Sequence, residues 1–151
     1  MKLSDQAIRL IARSEGFSST PYRCPAGVPT IGYGSTFYAD GRRVEMDDLP
    51  ITEPDALALL RGEAEKCADQ IAKTTRVTLS QGQLDALTSF AYNLGYGNLI
   101  ASTLWRKFNA GNFAGAAEEF DRWIHGGGKI LPGLITRRAA EKAMFEGVPH
   151  A

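Results

Sequence analysis

The sequence is poor in the residues that build metal sites and disulfide frameworks. It contains only two cysteines, Cys24 and Cys67, and two histidines, His125 and His150, among 151 residues. Neither pair has the close spacing of a zinc site, and a chain of this length forms a hydrophobic core without cross-links. We therefore expect no metal, no cofactor and two reduced thiols, although the sequence does not exclude a disulfide between Cys24 and Cys67.

Long apolar runs and an excess of one charge are also missing. No stretch approaches the length of a membrane span, and Arg9 and Arg13 interrupt the N-terminal apolar segment, which lacks the pattern of a signal peptide. The 17 basic residues balance 17 acidic ones, so composition gives no general attraction to nucleic acid or to an anionic membrane. These features predict a soluble, monomeric domain that is made in the cytoplasm.

Helical periodicity flanks a segment of a different type. Ser4 is a suitable N-cap for a helix to about residue 14, and Thr52 and Ser80 precede further helical patterns. Between the first two caps, residues 17–49 are rich in Gly, Pro, Tyr, Thr and Val, which predicts about three short antiparallel strands. The three glycines at 126–128 lack the context of a phosphate-binding loop, and we expect them to form a flexible connection between helices.

The predicted architecture is α+β, with the sheet at one end. It consists of an N-terminal helix, a small three-stranded antiparallel sheet, a long connecting helix and a mainly helical C-terminal lobe. Residues 1–151 would form one domain, with the sheet lobe at about 15–52 and the helical lobe at about 53–151 plus the N-terminal helix. The cleft between two such lobes is a favoured place for a ligand.

Three polar residues near the first predicted helix suit the chemistry of glycoside cleavage. Glu15 is expected at the C-terminal end of that helix, where the helix dipole disfavours a negative charge. Cys24 and Thr30 would lie near each other on facing strands of a hairpin with its turn at 25–29. Glycoside hydrolysis needs an acid for the leaving oxygen and a second group that activates water. Taken singly, however, a solvated glutamate and a core cysteine are the commoner cases, so both interpretations stay open.

The order and spacing of these residues resemble the phage-type lysozymes, or endolysins, of glycoside hydrolase family 24. That family has Glu, eight residues, Asp or sometimes Cys, five residues, and then Thr within T-I-G-x-G; Glu15, Cys24 and Thr30 have the same spacing, with Thr30 in TIGYG. Four further segments resemble the family's helical lobe, in the family's order: FAYNLGYG (90–97), STLWRKFNAGNF (102–113), FDRWIHGGGKILPGL (120–134) and RRAAE (137–141). The resemblance covers nearly the whole chain and implies a lysozyme-like fold with its active site between the lobes.

The resemblance implies a catalytic role for three residues. Glu15 would be the general acid, Thr30 would order the attacking water, and Cys24 stands where the family usually has its catalytic aspartate. A thiol has a reference pKa near 8.5 and is largely neutral unless a cation helps, for which Arg23 is adjacent. Cys24 would then be the water activator or base; the alternative is a tolerated replacement, with Glu15 and Thr30 supplying most of the rate.

The resemblance also implies substrate-binding positions in the helical lobe. Asn93 would hydrogen-bond a sugar, and Trp123 would pack beneath the cleft, with core packing as its alternative role. Arg137 would lie near the active site and pair with Glu15, with Arg138 as the rival for that contact. Many relatives have a histidine where this chain has Ser35, a difference that we expect to affect stability more than chemistry.

The implied activity is that of an endolysin muramidase. It would hydrolyse the β-1,4 bond between N-acetylmuramic acid and N-acetylglucosamine in peptidoglycan, with inversion and without a cofactor. Its partner would be the glycan strand, and a holin would release it from the host cytoplasm to the periplasm. Two alternatives remain. A neutral Cys24 would suit a lytic transglycosylase, whose product is lighter by one water, and loss of the base would leave a non-catalytic peptidoglycan-binding protein.

Overall fold

The computed structural model describes residues 1–148, so His150 lies outside the described part of the chain. Within these residues the helices are α1 Asp5–Glu15, α2 Glu53–Thr74, α3 Gln81–Leu94, α4 Tyr96–Ile100, α5 Thr103–Asn109, α6 Phe113–Glu119 and α7 Pro132–Glu146, and a 3-10 turn spans Phe120–Arg122. The strands are β1 Ser18–Arg23, β2 Pro29–Gly32, β3 His125–Gly126 and β4 Lys129–Ile130. The predicted α+β class is confirmed.

The long helices begin at the residues that the sequence indicates. The side-chain oxygens of Ser4, Thr52 and Ser80 accept hydrogen bonds of 3.1–3.3 Å from backbone amides three residues further on. Gln83 completes a capping box by accepting from the backbone amide of Ser80 at 2.9 Å. Because each cap satisfies an amide that the helix itself leaves unpaired, each contributes roughly 1 kcal/mol.

The first sheet contains two strands rather than the three predicted. β1 and β2 form an antiparallel hairpin in which Tyr22 lies opposite Thr30. The backbone amide of Gly27 donates to the carbonyl of Cys24 at 2.7 Å, and Gly27 has a φ of 80°. The turn therefore falls within the predicted residues 25–29, and the left-handed backbone conformation at Gly27 suits glycine.

Two glycines explain why a third strand does not extend this sheet. Gly32 and Gly34 have φ values of 67° and 94°, so the chain turns back on itself directly after β2. Ile31 and Ser35 then exchange backbone hydrogen bonds of 2.8 and 2.9 Å across this turn. The remainder of the predicted third strand is reduced to one isolated bridge further along the loop.

The glycine-rich segment before α7 forms a hairpin rather than a flexible connection. β3 and β4 pair with His125 opposite Ile130. Gly127 and Gly128 between the strands have φ values of 58° and 80°. Positive φ at both central residues defines the two-residue turn that matches the twist of a hairpin, and glycine adopts it without steric strain. Our expectation for 126–128 was therefore wrong.

The core lies in the helical lobe around α3, which packs between α2 and α7. Phe90 of α3 is fully buried, with Phe120 and Trp123 packed edge-on against its ring at centroid distances of 5.7 and 5.3 Å. This packing places the C-terminal end of α3 beside the first half of α7. Within residues 1–148, no helix is both long enough and apolar enough to cross a membrane.

Candidate active site

Glu15 is the last residue of α1, as its position in the sequence predicts. Gly16 ends the helix with a φ of 76°, while its amide still donates to the carbonyl of Ala12 at 3.0 Å. The Glu15 side chain is 28% exposed. It lines a groove of about 780 Å³ between α1 and α7, which Asn93 of α3 also lines. An acid is thus present on the wall of an open groove.

Arg137 fixes one of the two carboxylate oxygens of Glu15. Its Nη1 donates to Glu15 Oε1 at 3.2 Å, while Nη2 donates to the Ser89 carbonyl at 3.0 Å and Nε to Glu141 Oε2 at 3.3 Å. The Arg137 side chain is only 4% exposed. Of the two arginines considered from the sequence, Arg137 is therefore the one that contacts Glu15, and it is not an exposed helix residue.

The other oxygen of Glu15 faces the loop that follows β2. A β-carbon on Gly34 would lie 3.7 Å from Glu15 Oε2, with no other atom within 4 Å of it. Gly34 has a φ of 94°, which side-chain-bearing residues rarely adopt. The loop therefore places no side chain at Gly34 in front of the oxygen that Arg137 does not hold.

Arg138 holds the groove residue Asn93 rather than Glu15. Its side chain is fully buried, with Nη2 donating to Asn93 Oδ1 and Nε donating to the Trp123 carbonyl at 3.0 Å. Because Asn93 Oδ1 faces a guanidinium group, Nδ2 is the atom that remains to donate into the groove. Trp123 packs on Phe90 and is not among the residues that line the groove, which agrees with its alternative role in packing.

Glu141 lies behind both arginines and was not singled out from the sequence. It is fully buried, accepting from Arg138 Nη1 at 2.5 Å, from Arg137 Nε at 3.3 Å and from Ser89 Oγ at 2.5 Å. Burial raises the pKa of Glu141, and the two guanidinium groups and the hydroxyl oppose that rise. The spacing of RRAAE contains the signal, because residues three and four apart share one face of a helix.

Cys24 and Thr30 are neighbours on one face of the hairpin. The pKa of the Cys24 thiol is lowered, chiefly by hydrogen bonds with the backbone of Val28 and Ala26. Thr30 is buried, and its hydroxyl donates to the Val28 carbonyl at 2.8 Å. Since that hydroxyl has one proton, its oxygen can only accept any further hydrogen bond.

Arg23 hydrogen-bonds across the hairpin turn, and Cys67 packs against the core. Arg23 Nη1 donates to the Gly27 carbonyl across the turn at 3.0 Å. The lowered pKa of Cys24 therefore arises from the turn backbone rather than from this cation. Cys67 packs half-buried against the core, and burial raises its pKa to about 11. Both cysteines are free in this structure, and their reduced state stays a prediction.

A second partly buried carboxyl, that of Glu63, was not found from the sequence. The Tyr92 hydroxyl donates to Glu63 Oε2 at 3.0 Å, which links α3 to α2 directly beside Asn93. Burial raises the pKa of Glu63, and the hydrogen bond from Tyr92 opposes this. The two residues are 29 apart in the chain, so no local spacing in the sequence indicates the pair.

Comparison with known proteins identifies the family of the chain. Residues 12–141 match the model of the family described as phage lysozyme. The chain belongs to the phage lysozyme family. It is 38% identical over 150 residues to the endolysin of Acyrthosiphon pisum secondary endosymbiont phage 1, with 97% of this chain and 99% of the relative aligned. The family predicted from the spacing of Glu15, Cys24 and Thr30 is thereby confirmed.

Similar solved structures have the same fold. The endolysin of Escherichia coli O157:H7 phage FAHEc1 aligns with 99% of this chain and 98% of its own, at 34% identity and a TM-score of 0.84. The muramidase domain of SpmX from Asticaccaulis excentricus aligns with 95% and 97%, at 35% identity and a TM-score of 0.80. The protein is a lysozyme-type enzyme of the class that degrades peptidoglycan.

Proposed function

We propose that the protein is an endolysin muramidase that hydrolyses the β-1,4 bond between N-acetylmuramic acid and N-acetylglucosamine with inversion. The observation that carries this proposal is the asymmetric environment of Glu15. One carboxyl oxygen is bound by a buried arginine, and the other faces Gly34, which has no side chain to cover it. The similarity to a protein described as a muramidase domain supports the choice of bond.

Glu15 acts as the general acid in this proposal. Oε1 is occupied by Arg137 at 3.2 Å, so the transferable proton resides on Oε2. As the bond between the anomeric carbon and the glycosidic oxygen breaks, that proton passes to the leaving oxygen. Gly34 leaves the room that the leaving sugar needs in front of Oε2.

Cys24 and Thr30 act on the attacking water. The Thr30 oxygen accepts one hydrogen bond from the water, because its own proton is used by the Val28 carbonyl. The Cys24 thiolate, favoured by its lowered pKa, removes a proton as the water oxygen bonds to the anomeric carbon. Solvent then returns a proton to Glu15 and takes one from Cys24. Inversion places acid and base about 6.5–9.5 Å apart, with the water between them.

Residues on α3 and α7 would position the sugar. With Oδ1 held by Arg138, Asn93 presents Nδ2 to the carbonyl of an acetamido group. Arg137 keeps the Glu15 carboxyl in one orientation, so the acid is already oriented for proton transfer when the substrate binds. In the cell, a holin would give the monomeric enzyme access to the peptidoglycan.

Product analysis with a matched pair of variants tests the proposal. Glu15→Gln should abolish release of fragments from purified peptidoglycan, whereas Glu118→Gln, at an exposed position on α6, should leave the rate unchanged. Mass spectrometry should show hydrolysed ends, and NMR of fresh product should show the inverted anomer. Products lighter by one water would instead indicate a transglycosylase. Binding without any fragment release by the wild type would indicate a non-catalytic relative.

A further inference from the structure

The groove beside Glu15 contains a cation that the proposed reaction does not use. Arg13 lies on the last turn of α1, exposed, and lines the groove together with Leu10 three residues earlier. Within residues 1–148, no ion pair involves Arg13. Its guanidinium group is therefore available to a ligand.

The other charges on the groove wall cancel one another. Glu15 is the one carboxylate among the lining residues of the described chain, and it is paired with Arg137. Arg137 in turn is shared with the buried Glu141. A ligand in the groove thus meets one uncompensated positive charge, that of Arg13, which favours an anionic group at this end.

The wall opposite Arg13 is apolar and open. Leu131 and Leu134 at the start of α7 line it, and Leu131 is 40% exposed. Between them, Gly133 has no side chain, and a β-carbon there would meet no atom within 4 Å. The groove has a volume of about 780 Å³, which is large enough to hold a small ligand. The wall suits small apolar side chains such as those of alanine.

We propose that this groove binds the short peptide that branches from the glycan strand, with Arg13 binding one of its carboxylates. The identity of the polymer rests on the proposed function. A guanidinium group binds a carboxylate through two parallel hydrogen bonds, and the apolar wall would accept the neighbouring methyl groups. Because the groove begins at Glu15, a peptide held there would also fix which glycosidic bond reaches the acid.

Chemical neutralisation of the peptide carboxylates gives a direct test. Purified sacculi are compared before and after amidation with carbodiimide and ammonium chloride, which removes the charges and keeps the glycan and the peptides. Arg13→Gln is compared with Arg9→Gln, which changes an exposed arginine one turn earlier in α1 that does not line the groove. Thermal unfolding verifies that both variants fold.

Binding is measured by co-sedimentation after brief contact on ice, with Glu15 intact so that Arg137 keeps its ion pair and little cleavage occurs. Amidation should weaken binding of the parent about tenfold, the size of one charge-assisted pair, and Arg9→Gln should respond in the same way. Arg13→Gln should bind both kinds of sacculi equally weakly. Gly133→Glu, which adds a carboxylate to the opposite wall, should also weaken binding to native sacculi.

Two results would overturn the proposal: equal binding of the parent to native and amidated sacculi, or an equal response of Arg13→Gln and Arg9→Gln to amidation. Failure of the proposed function has a different signature. If Glu15→Gln still releases fragments from native walls, the catalytic assignment is wrong. The binding assay does not depend on that assignment, because it measures only how Arg13 and the peptide carboxylates affect binding.

Discussion

Arg137 binds Glu15 Oε1 and Glu141 Oε2 with the same guanidinium group, at 3.2 and 3.3 Å. Its remaining nitrogen donates to the Ser89 carbonyl at 3.0 Å, so α1, α3 and α7 are joined at one side chain. Because Glu141 is fully buried, this contact cannot be replaced by water without a large desolvation penalty. The geometry of the candidate acid therefore depends on an ion pair in the core.

Arg137→Met should reduce both stability and activity. It removes the cation beside Glu15 and leaves buried Glu141 with fewer partners, so we expect a loss of about 3 kcal/mol in the free energy of unfolding. The release rate should fall on the order of 10²-fold, because the Glu15 carboxyl loses its fixed orientation. Lys142→Met, at a more exposed pair with Asp121, should cost about 1 kcal/mol or less. Urea unfolding and dye release from sacculi measure both, and equal losses would contradict the assignment.

The pH dependence of the rate should identify the role of Cys24. If the thiolate is the base, the rate of wild type rises with pH as the thiol loses its proton, below the pH expected for an ordinary cysteine. Cys24→Asp should be active, with this rise displaced to lower pH, because a carboxyl ionises near pH 4. Cys24→Ser should be slower by about 10²-fold or more. A Cys24→Ser rate equal to that of wild type would show that Glu15 and the Thr30-bound water suffice.

The features that were predicted correctly depend on residues close together in the chain. The caps at Ser4, Thr52 and Ser80 act within three residues, and the Cys24–Thr30 proximity follows from one hairpin turn. Glu15 was placed correctly because a helix pattern ends there. Local hydrogen bonding and strand register carry this information in the sequence itself.

The features that were missed depend on backbone conformation or on distant pairs. The third strand was expected because TIGYGS has strand composition, but positive φ at Gly32 and Gly34 reverses the chain. The contact between Glu63 and Tyr92 joins two helices whose relative rotation is set by core packing, which periodicity alone does not specify. Consecutive glycines likewise permit both a flexible connection and a tight hairpin turn.

Glu63 should make the protein less stable as pH rises. Burial raises its pKa, so the folded protein keeps the proton to a higher pH than the unfolded chain, whose value is near 4.5. Between that pH and the pKa of Glu63 in the folded protein, the folded state binds more protons than the unfolded state. The free energy of unfolding therefore decreases as the pH rises. Glu63→Gln lacks this titration but retains an oxygen for Tyr92. The variant should therefore gain stability relative to wild type as the pH rises above about 4.5 in urea unfolding.

Tyr92→Phe serves as the companion variant for this prediction. It removes the hydrogen bond that opposes the rise in the Glu63 pKa, so the decrease in stability with pH should become steeper than in wild type. Parallel stability curves for wild type, Glu63→Gln and Tyr92→Phe over this range would exclude Glu63 as the responsible group.

Gly62 and Gly82 should respond in opposite directions to replacement by alanine. Both lie in helices, and a β-carbon on Gly62 meets no atom within 4 Å, whereas one on Gly82 falls well inside contact distance of the Met144 carbonyl oxygen. Gly62→Ala should stabilise the protein by about 0.5–1 kcal/mol, since alanine restricts the unfolded chain and favours the helix. Gly82→Ala should destabilise it by about 1–3 kcal/mol, because α3 must move away from α7. The same movement would displace α7 from α3, the helix that carries Asn93. Gly82→Ala should therefore slow wall hydrolysis, whereas Gly62→Ala should not.

Urea unfolding measures the change in stability, and the release rate measures the change in activity. Equal behaviour of the two variants in both measurements would contradict the close approach of α3 and α7.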